Sequence, residues 1–303
     1  MGKTVRETIK EIVRVHLTEK NSMCFGQCLT AVGWVGGTLP ELYEEDGMIE
    51  VSTADVANGG FVVGAGLKGI RPIYVVRYQG FQWYNAPIIV NYACKSKEIW
   101  HIPCPIFVRS IAMEGAIGPV AGSSHHSLFQ RMPGSKILSP MTSNEYQYAY
   151  DEFMKDDDVY YISEHRRSYD NAIEMDDVIH ESADFTLFPI SITRFDAHEA
   201  RLLLEAEGYK INIIHQLWIK PFLFKEEWRE ALNRSKFGGM VLDDDYEEGV
   251  ASSIAHTMMI SANKKVYTLG LEHRTAGFHP DVDNLPPSPE AIAESVKSIM
   301  NVK

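Results

Sequence analysis

The sequence predicts an α/β protein made of two successive three-layer α/β domains with mainly parallel sheets. Short β-branched and aromatic runs such as PIYVVRY, PIFVRSI and VYYISEH alternate with helical patterns, the rhythm of a parallel sheet. The rhythm pauses in the polar stretch RRSYDNAIEMDDVIHESA and restarts at DFTLFPIS, which places a boundary near residue 180 and gives domains 1–180 and 181–303. A length of 303 residues with 45% apolar side chains is enough for two cores.

In order along the chain, TVRETIKEIVRVHL puts Val5, Ile9, Ile12, Val13 and Leu17 on one helical face, with Thr4 and Glu7 spaced for a capping box. SMCFGQ reads as a buried strand, GWVGGTLPELYEEDG as a loop entering a helix that stops at Gly47, and GMIEVS as a strand. DVANGGFVVGAGLK is small and apolar, which predicts a helix packed through a glycine face at Gly60 and Gly64, with Gly64, Gly66 and Gly69 as its close-packed face and exit. The strand PIYVVRY, the helix APIIVNYACKSKEI, the strand PIFVRSI and the glycine-rich loop EGAIGPVAGSSHHS come next. SKILSP is a strand, SNEYQYAYDEFMK a helix with Ser143 as its cap, and VYYISEH a strand. The second domain reads as strand DFTLFPIS, helix AHEARLLLEAEGY, strand KINIIHQLW and turn KPF, then a strand at GGMVL and an acidic loop at Asp243–Asp245. A helix, the strand KKVYTLGL and the helix SPEAIAESVKSIM, capped by Ser288, complete it.

A net charge of −12 without clustered Lys and Arg argues against nucleic acid as a partner, and nothing points to a membrane. Four cysteines do not make a disulfide framework in a chain this long, and Cys24 and Cys28 alone are too little for zinc, so no metal is assigned. The opening MGKTVRETIKEIV lacks a signal peptide's apolar core, and a cytoplasmic location is expected. GAGLKG carries Gly64, Gly66 and Gly69 at the spacing of a dinucleotide fingerprint, but Pro72 and a strand follow where a helix must open. A nicotinamide-dependent oxidoreductase therefore rests on the glycine triplet alone.

The order and spacing of ADVANGGFVVGAGLKGIRPI, RYQGF, GPVAGSSHHS and LWIKPF carry a sharper signal. With them the chain resembles the beta subunit of thiamine-diphosphate-dependent 2-oxo-acid dehydrogenases and the matching C-terminal section of transketolases. The resemblance implies a pyrimidine-binding fold followed by a transketolase C-terminal-like fold. It also implies thiamine diphosphate as coenzyme, whose thiazolium C2 proton must leave before that carbon can attack.

In that family a glutamate bonded to N1′ of the aminopyrimidine opens the helix, and Asp55 falls at its position, one methylene shorter. An aspartate at a helix start also serves as a simple cap. The resemblance further implies that Tyr78 and Phe81 flank the coenzyme ring, that Gln27 stands at a glutamate position near it, and that His126, with His125 beside it, meets the substrate. An imidazole there suits donation to a 2-oxo group or proton transfer. His165, at a strand's C-terminal end, is a further substrate candidate. The family's GDG motif for diphosphate and Mg²⁺ is absent from the chain, so both would be held by an alpha-type partner that shares the coenzyme, in an α2β2 assembly or around a homodimer core. Its substrate class would be a 2-oxo acid or a ketose. A non-catalytic scaffold or regulatory subunit that keeps the fold is the alternative, because Asp55 and Gln27 both depart from the family pattern.

Overall fold

A computed structural model describes residues 2–20, 22–114, 121–275 and 284–301. The chain divides into two compact units, one built on Met1–Met113 and Val120–Glu174 and the other on Met175–Lys303. Both are α/β with parallel sheets, as the alternating pattern predicts.

The first unit opens with α1 (Val5–Thr18), whose Thr4 and Glu7 form the expected capping box and whose Val5, Ile9, Ile12, Val13 and Leu17 are all buried. β1 (Cys24–Gln27) follows. The helix expected to end at Gly47 is not formed. A left-handed turn α2 (Gly33–Gly37) stands there, with Trp34 and Val35 at φ 51°, and later a single 3₁₀ turn at Glu44–Asp46. Four glycines and Pro40 leave too short a run to nucleate a helix. β2 (Met48–Val51), α3 (Asp55–Leu67) and β3 (Ile73–Val76) come next.

The glycine face of α3 is only partly where the pattern placed it, at Gly66 but not at Gly60 or Gly64. A Cβ at Gly60 or Gly64 would meet nothing within 4 Å, whereas one at Gly59 would approach the Asn85 backbone at 3.2 Å and one at Gly66 the Cys104 sulfur at 2.7 Å. Close packing therefore runs through Gly59 and Gly66, and Gly60 and Gly64 line an exposed face with Val56 and Phe61. Gly69, at φ +85°, makes the left-handed exit toward β3.

α4 (Gln82–Ile88) passes through a π-helical segment at Ile89–Ala93 into α5 (Cys94–Trp100), and Pro87 lies inside the run, where an i−4 bond is lost. β4 (Ile106–Ala112), α6 (Ser127–Gln130), β5 (Ser135–Leu138), α7 (Ser143–Lys155) and β6 (Val159–His165) complete the unit. Residues 115–120 of the expected glycine-rich loop lie outside the described residues. Thr142, not Ser143, caps α7 by accepting from the Glu145 amide; the Ser143 hydroxyl instead meets Thr8 Oγ1 at 2.5 Å. Within this unit the strands run in the order β2-β1-β3-β4-β6-β5, every pairing parallel. β4 and β6 are buried along their whole length, which explains their nearly unbroken apolar runs.

The second unit holds β7 (Phe185–Pro189), α8 (Thr193–Ala206), β8 (Ile211–Ile213), β9 (Trp218–Lys220), α9 (Glu226–Arg234), β10 (Gly239–Tyr246), α10 (Val250–Ala262), β11 (Val266–Leu271) and α11 (Pro289–Asn301). Its sheet order is β11-β10-β7-β8, again parallel. Phe185, Leu187, Leu204, Ile213, Leu242 and Val296 centre a core that joins the sheet to α8 and α11. Burying each such side chain contributes roughly 1.5–3 kcal/mol before entropy. The Ser288 hydroxyl accepts from the Ala291 amide, as expected of the last helix's cap.

Two expectations fail here. KINIIHQLW is split between β8 and β9, because the amides of His215 and Gln216 turn to the Asp177 carboxylate and the Pro189 carbonyl. Asp243, Asp244 and Asp245 are not a loop: they end the central strand β10 and are buried. Low β-propensity hid them, but side-chain acceptors such as Asp243 toward the Asp245 amide suit them to a strand end.

Candidate active site

Parallel strands present their C-terminal ends, with the loops that follow, on one edge where ligands are bound. In the first unit Gln27 is the last residue of β1, Tyr78 and Phe81 follow β3, and His165 ends β6. Asp55 is the first residue of α3, after β2, and His125 and His126 immediately precede α6.

The two histidines are joined to β3, β4 and β6 through a side chain that sequence reasoning missed. Gln79 is completely buried. Its Oε1 accepts from the His125 amide at 2.6 Å, and its Nε2 donates to the Ser110 carbonyl at 3.2 Å and to Ser163 Oγ at 2.8 Å. Ser163 Oγ lies 3.1 Å from His126 Nδ1. Ser110 and Ser163 face each other across β4 and β6, so one amide spans a register pair and holds the histidine loop against it. Gln82, also fully buried, donates to Ser110 Oγ and meets the Tyr161 hydroxyl. His125 is half-buried, with its ring edge-on to Trp83 at 6.1 Å.

Asp55 and Gln27 are not bonded to this cluster. Among the described residues Gln27 Nε2 is buried without a hydrogen-bond partner. Asp55 is partly exposed, and its charge acts on Tyr74, whose phenol is raised above its ordinary range first by burial and then by Asp55. The cap role does not fall to Asp55: Ala54 is the N-cap of α3, and no side chain bonds there. The carboxylate instead stands at the positive end of a thirteen-residue helix.

The Tyr78 and Phe81 rings are half-buried and tilted against each other at 5.9 Å between centroids. Tyr78 also lines a cavity of about 90 Å³ with Val35, Arg77, Ile111, Arg166 and Tyr169. Arg77 lies over the Tyr78 ring and Arg166 donates to Met113 Sδ. Among the described residues neither arginine pairs with a carboxylate.

His165 is buried and its Nδ1 accepts from the Arg167 amide at 3.3 Å. Burial, then the charges of Arg167 and Arg166, push it down to about 3, so its ring is neutral at physiological pH and works as a fixed acceptor. Beside it lies a closed charge cluster. Arg109 Nη2 bonds Glu164 Oε1 at 2.7 Å, both side chains fully buried, while Tyr146 and Tyr169 donate to Glu164 at 2.6 and 2.9 Å and Thr38 lies 3.1 Å from Nη2. Burial opposes the Arg109 charge, but Glu164 and the two tyrosines outweigh it and hold the guanidinium well protonated. Cys24, which burial pushes up to about 12, is a neutral thiol.

A parallel α/β unit with a carboxylate opening a small-residue helix, paired aromatic rings after the next strand and a histidine loop at the same edge defines a class: pyrimidine-binding domains. Residues 4–171 match the family described as transketolase, pyrimidine binding domain, and the chain belongs to that family. Among curated relatives, the 2-oxoisovalerate dehydrogenase subunit beta of Bacillus subtilis (strain 168) is 26% identical over 259 residues, 78% of each chain. The acetoin:2,6-dichlorophenolindophenol oxidoreductase subunit beta of Cupriavidus necator is 22% identical, covering 89% of this chain and 86% of that one. Among solved structures, a split-gene transketolase described as an inactive beta4 tetramer aligns over the whole of both chains with a TM-score of 0.73 at 15% identity. Transketolase from Campylobacter jejuni aligns at 0.72 and 18% identity over 98% of this chain and 47% of its own.

Proposed function

We propose that this chain is the beta-type subunit of a thiamine-diphosphate-dependent enzyme of the 2-oxo-acid dehydrogenase or split-transketolase type, cleaving or forming a C–C bond next to a carbonyl. Residues 1–180 would be the pyrimidine-binding domain and 181–303 the transketolase C-terminal-like domain, working in the cytoplasm. The observation that carries the reading is Asp55, a carboxylate at a helix start that neither caps the helix nor makes a side-chain hydrogen bond among the described residues. The residues fit the coenzyme: Asp55 would accept from the aminopyrimidine N1′, Tyr78 and Phe81 would flank the ring, and the buried Gln27 Nε2 offers an unused donor. When bound, the coenzyme supplies the nucleophilic carbon and takes up the electrons of the broken bond.

The chain's own residues do the remainder. His126 and His125 would donate to or steady the substrate's 2-oxo oxygen, and Arg77 and Arg166 would hold an anionic group of a 2-oxo acid or ketose in the cavity beside Tyr78. Without GDG, the chain would leave diphosphate and Mg²⁺ to an alpha-type partner. The exposed Trp83, Tyr84 and Tyr92, with the open Val56, Gly60, Phe61 and Gly64 face, suit a protein interface. Co-expression with an alpha-type chain and substitution Asp55→Ala tests the reading. Turnover should fall by about 10²–10⁴-fold with the melting temperature unchanged. Unchanged turnover would favour the scaffold instead.

A further inference from the structure

We propose that the cavity beside Tyr78 is a site for one phosphate group, held by Arg77 and Arg166 together. Both arginines line the same small space of about 90 Å³, whose other walls include Val35, Ile111 and Tyr169. No carboxylate lines it among the described residues. Arg77 lies 5.3 Å over the Tyr78 ring, and Arg166 donates to Met113 Sδ at 3.1 Å. A ring face and a thioether are weak partners, so both guanidiniums keep N–H groups for a stronger acceptor. The Tyr169 hydroxyl is already given to Glu164 at 2.9 Å. An incoming anion therefore meets two positive forks and otherwise apolar walls.

The number of forks decides the ligand. A carboxylate has a single O–C–O edge, and one bidentate guanidinium occupies it. A phosphate monoester presents three terminal oxygens and so three such edges, enough for two guanidiniums at once. Charge agrees: two arginines match the about −1.5 to −2 of a phosphate monoester near pH 7 better than the single charge of a carboxylate. The walls are also set in advance. Val35 stands at φ 51°, a region costly for a β-branched residue, and the turn is pinned from behind by Arg6, which donates to the Gly36 carbonyl and to Asp170 Oδ1 at 2.8 Å. The same chemistry takes the phosphate end of a phosphorylated keto substrate or free inorganic phosphate. Its use as part of a substrate rests on the function proposed above; the site itself is measurable on this chain alone.

The test is isothermal titration of the full-length chain with inorganic phosphate, glycerol 3-phosphate and pyruvate. Both phosphates should bind about tenfold more tightly than pyruvate, and Arg77→Gln and Arg166→Gln should each weaken them about tenfold with the melting temperature kept. Arg166 is exposed, so its variant keeps the test decisive if Arg77→Gln does not fold. Phosphate affinity should also climb as pH rises from about 5 to 7, where the ligand loses its second proton and the arginines do not change. Tighter binding of glycerol 3-phosphate than of inorganic phosphate assigns the site to the end of a phosphorylated substrate, and the reverse order assigns it to the free ion. Absence of binding, pyruvate bound as tightly as the phosphates, a flat pH profile, or affinity unchanged in Arg166→Gln overturns the proposal. Unchanged turnover in Asp55→Ala overturns the coenzyme reading and leaves this site standing.

Discussion

Arg109 and Arg166 stand on and just beyond neighbouring strands, and they are used in opposite ways. Arg109 is sealed from water, with Glu164, two tyrosines and Thr38 around it. Arg166 is exposed, its side chain bonds only a methionine sulfur among the described residues, and it lines an open cavity with Arg77. A charge whose partners are already within its own fold is structure. A charge at the ligand edge with no carboxylate of its own is available to something from outside.

The comparison breaks most visibly at its closed end. Glu164→Gln leaves Arg109 as an unbalanced buried cation and should destabilise the chain by about 3–5 kcal/mol in urea unfolding; a loss under about 1 kcal/mol would show a solvated pair. Next comes acid. Burial lowers His16 to about 4 against a usual 6.5, and both His165 and His215 to about 3. The unfolded chain therefore takes up protons first, so stability should be greatest above pH 6.5 and fall as pH drops through 6.5 toward 4 and on toward 3. His16 alone accounts for roughly 3 kcal/mol of that fall, read as melting temperature against pH in unmodified chain and His16→Gln.

A smaller contrast separates the glycines of α3. Gly66→Ala should cost about 1–3 kcal/mol, because Cys104 must move. Gly60→Ala, in open space, should stabilise by about 0.5–1 kcal/mol in thermal melts and weaken capture of an alpha-type partner if that face is the interface. Smallest for stability is Arg166→Ala, within about 0.5 kcal/mol. It should nonetheless raise KM for an anionic substrate about tenfold; an unchanged KM removes Arg166 from the site.

Such contrasts also show what was legible in the sequence. Periodicity located nearly every strand and the long helices, because burial on both faces of β4 and β6 writes itself as an apolar run. The failures have different causes: the left-handed turn at Gly33–Gly37 stands where glycines and Pro40 interrupt the helical run, whereas the acids inside β10 are held by contacts far along the chain, such as Ser191 to Asp244, which spacing does not encode. Motif order pointed to Asp55, Gln27, Tyr78, Phe81 and the histidines. It passed over Gln79, Gln82, Arg109 and Glu164, although a glutamine pair inside RYQGFQW and single charges inside PIFVRSI and VYYISEH were visible as polar letters in buried runs. A polar residue where the pattern demands an apolar one was the signal to follow.

The Gln79 amide has a consequence for how this site can diverge. One side chain fixes both where the histidine loop sits and, through Ser163, what its ring faces. A lineage that replaces this glutamine must change the loop or the serine in the same step, so positions 79, 125, 126 and 163 should vary as a block, each surviving only in the company of the others.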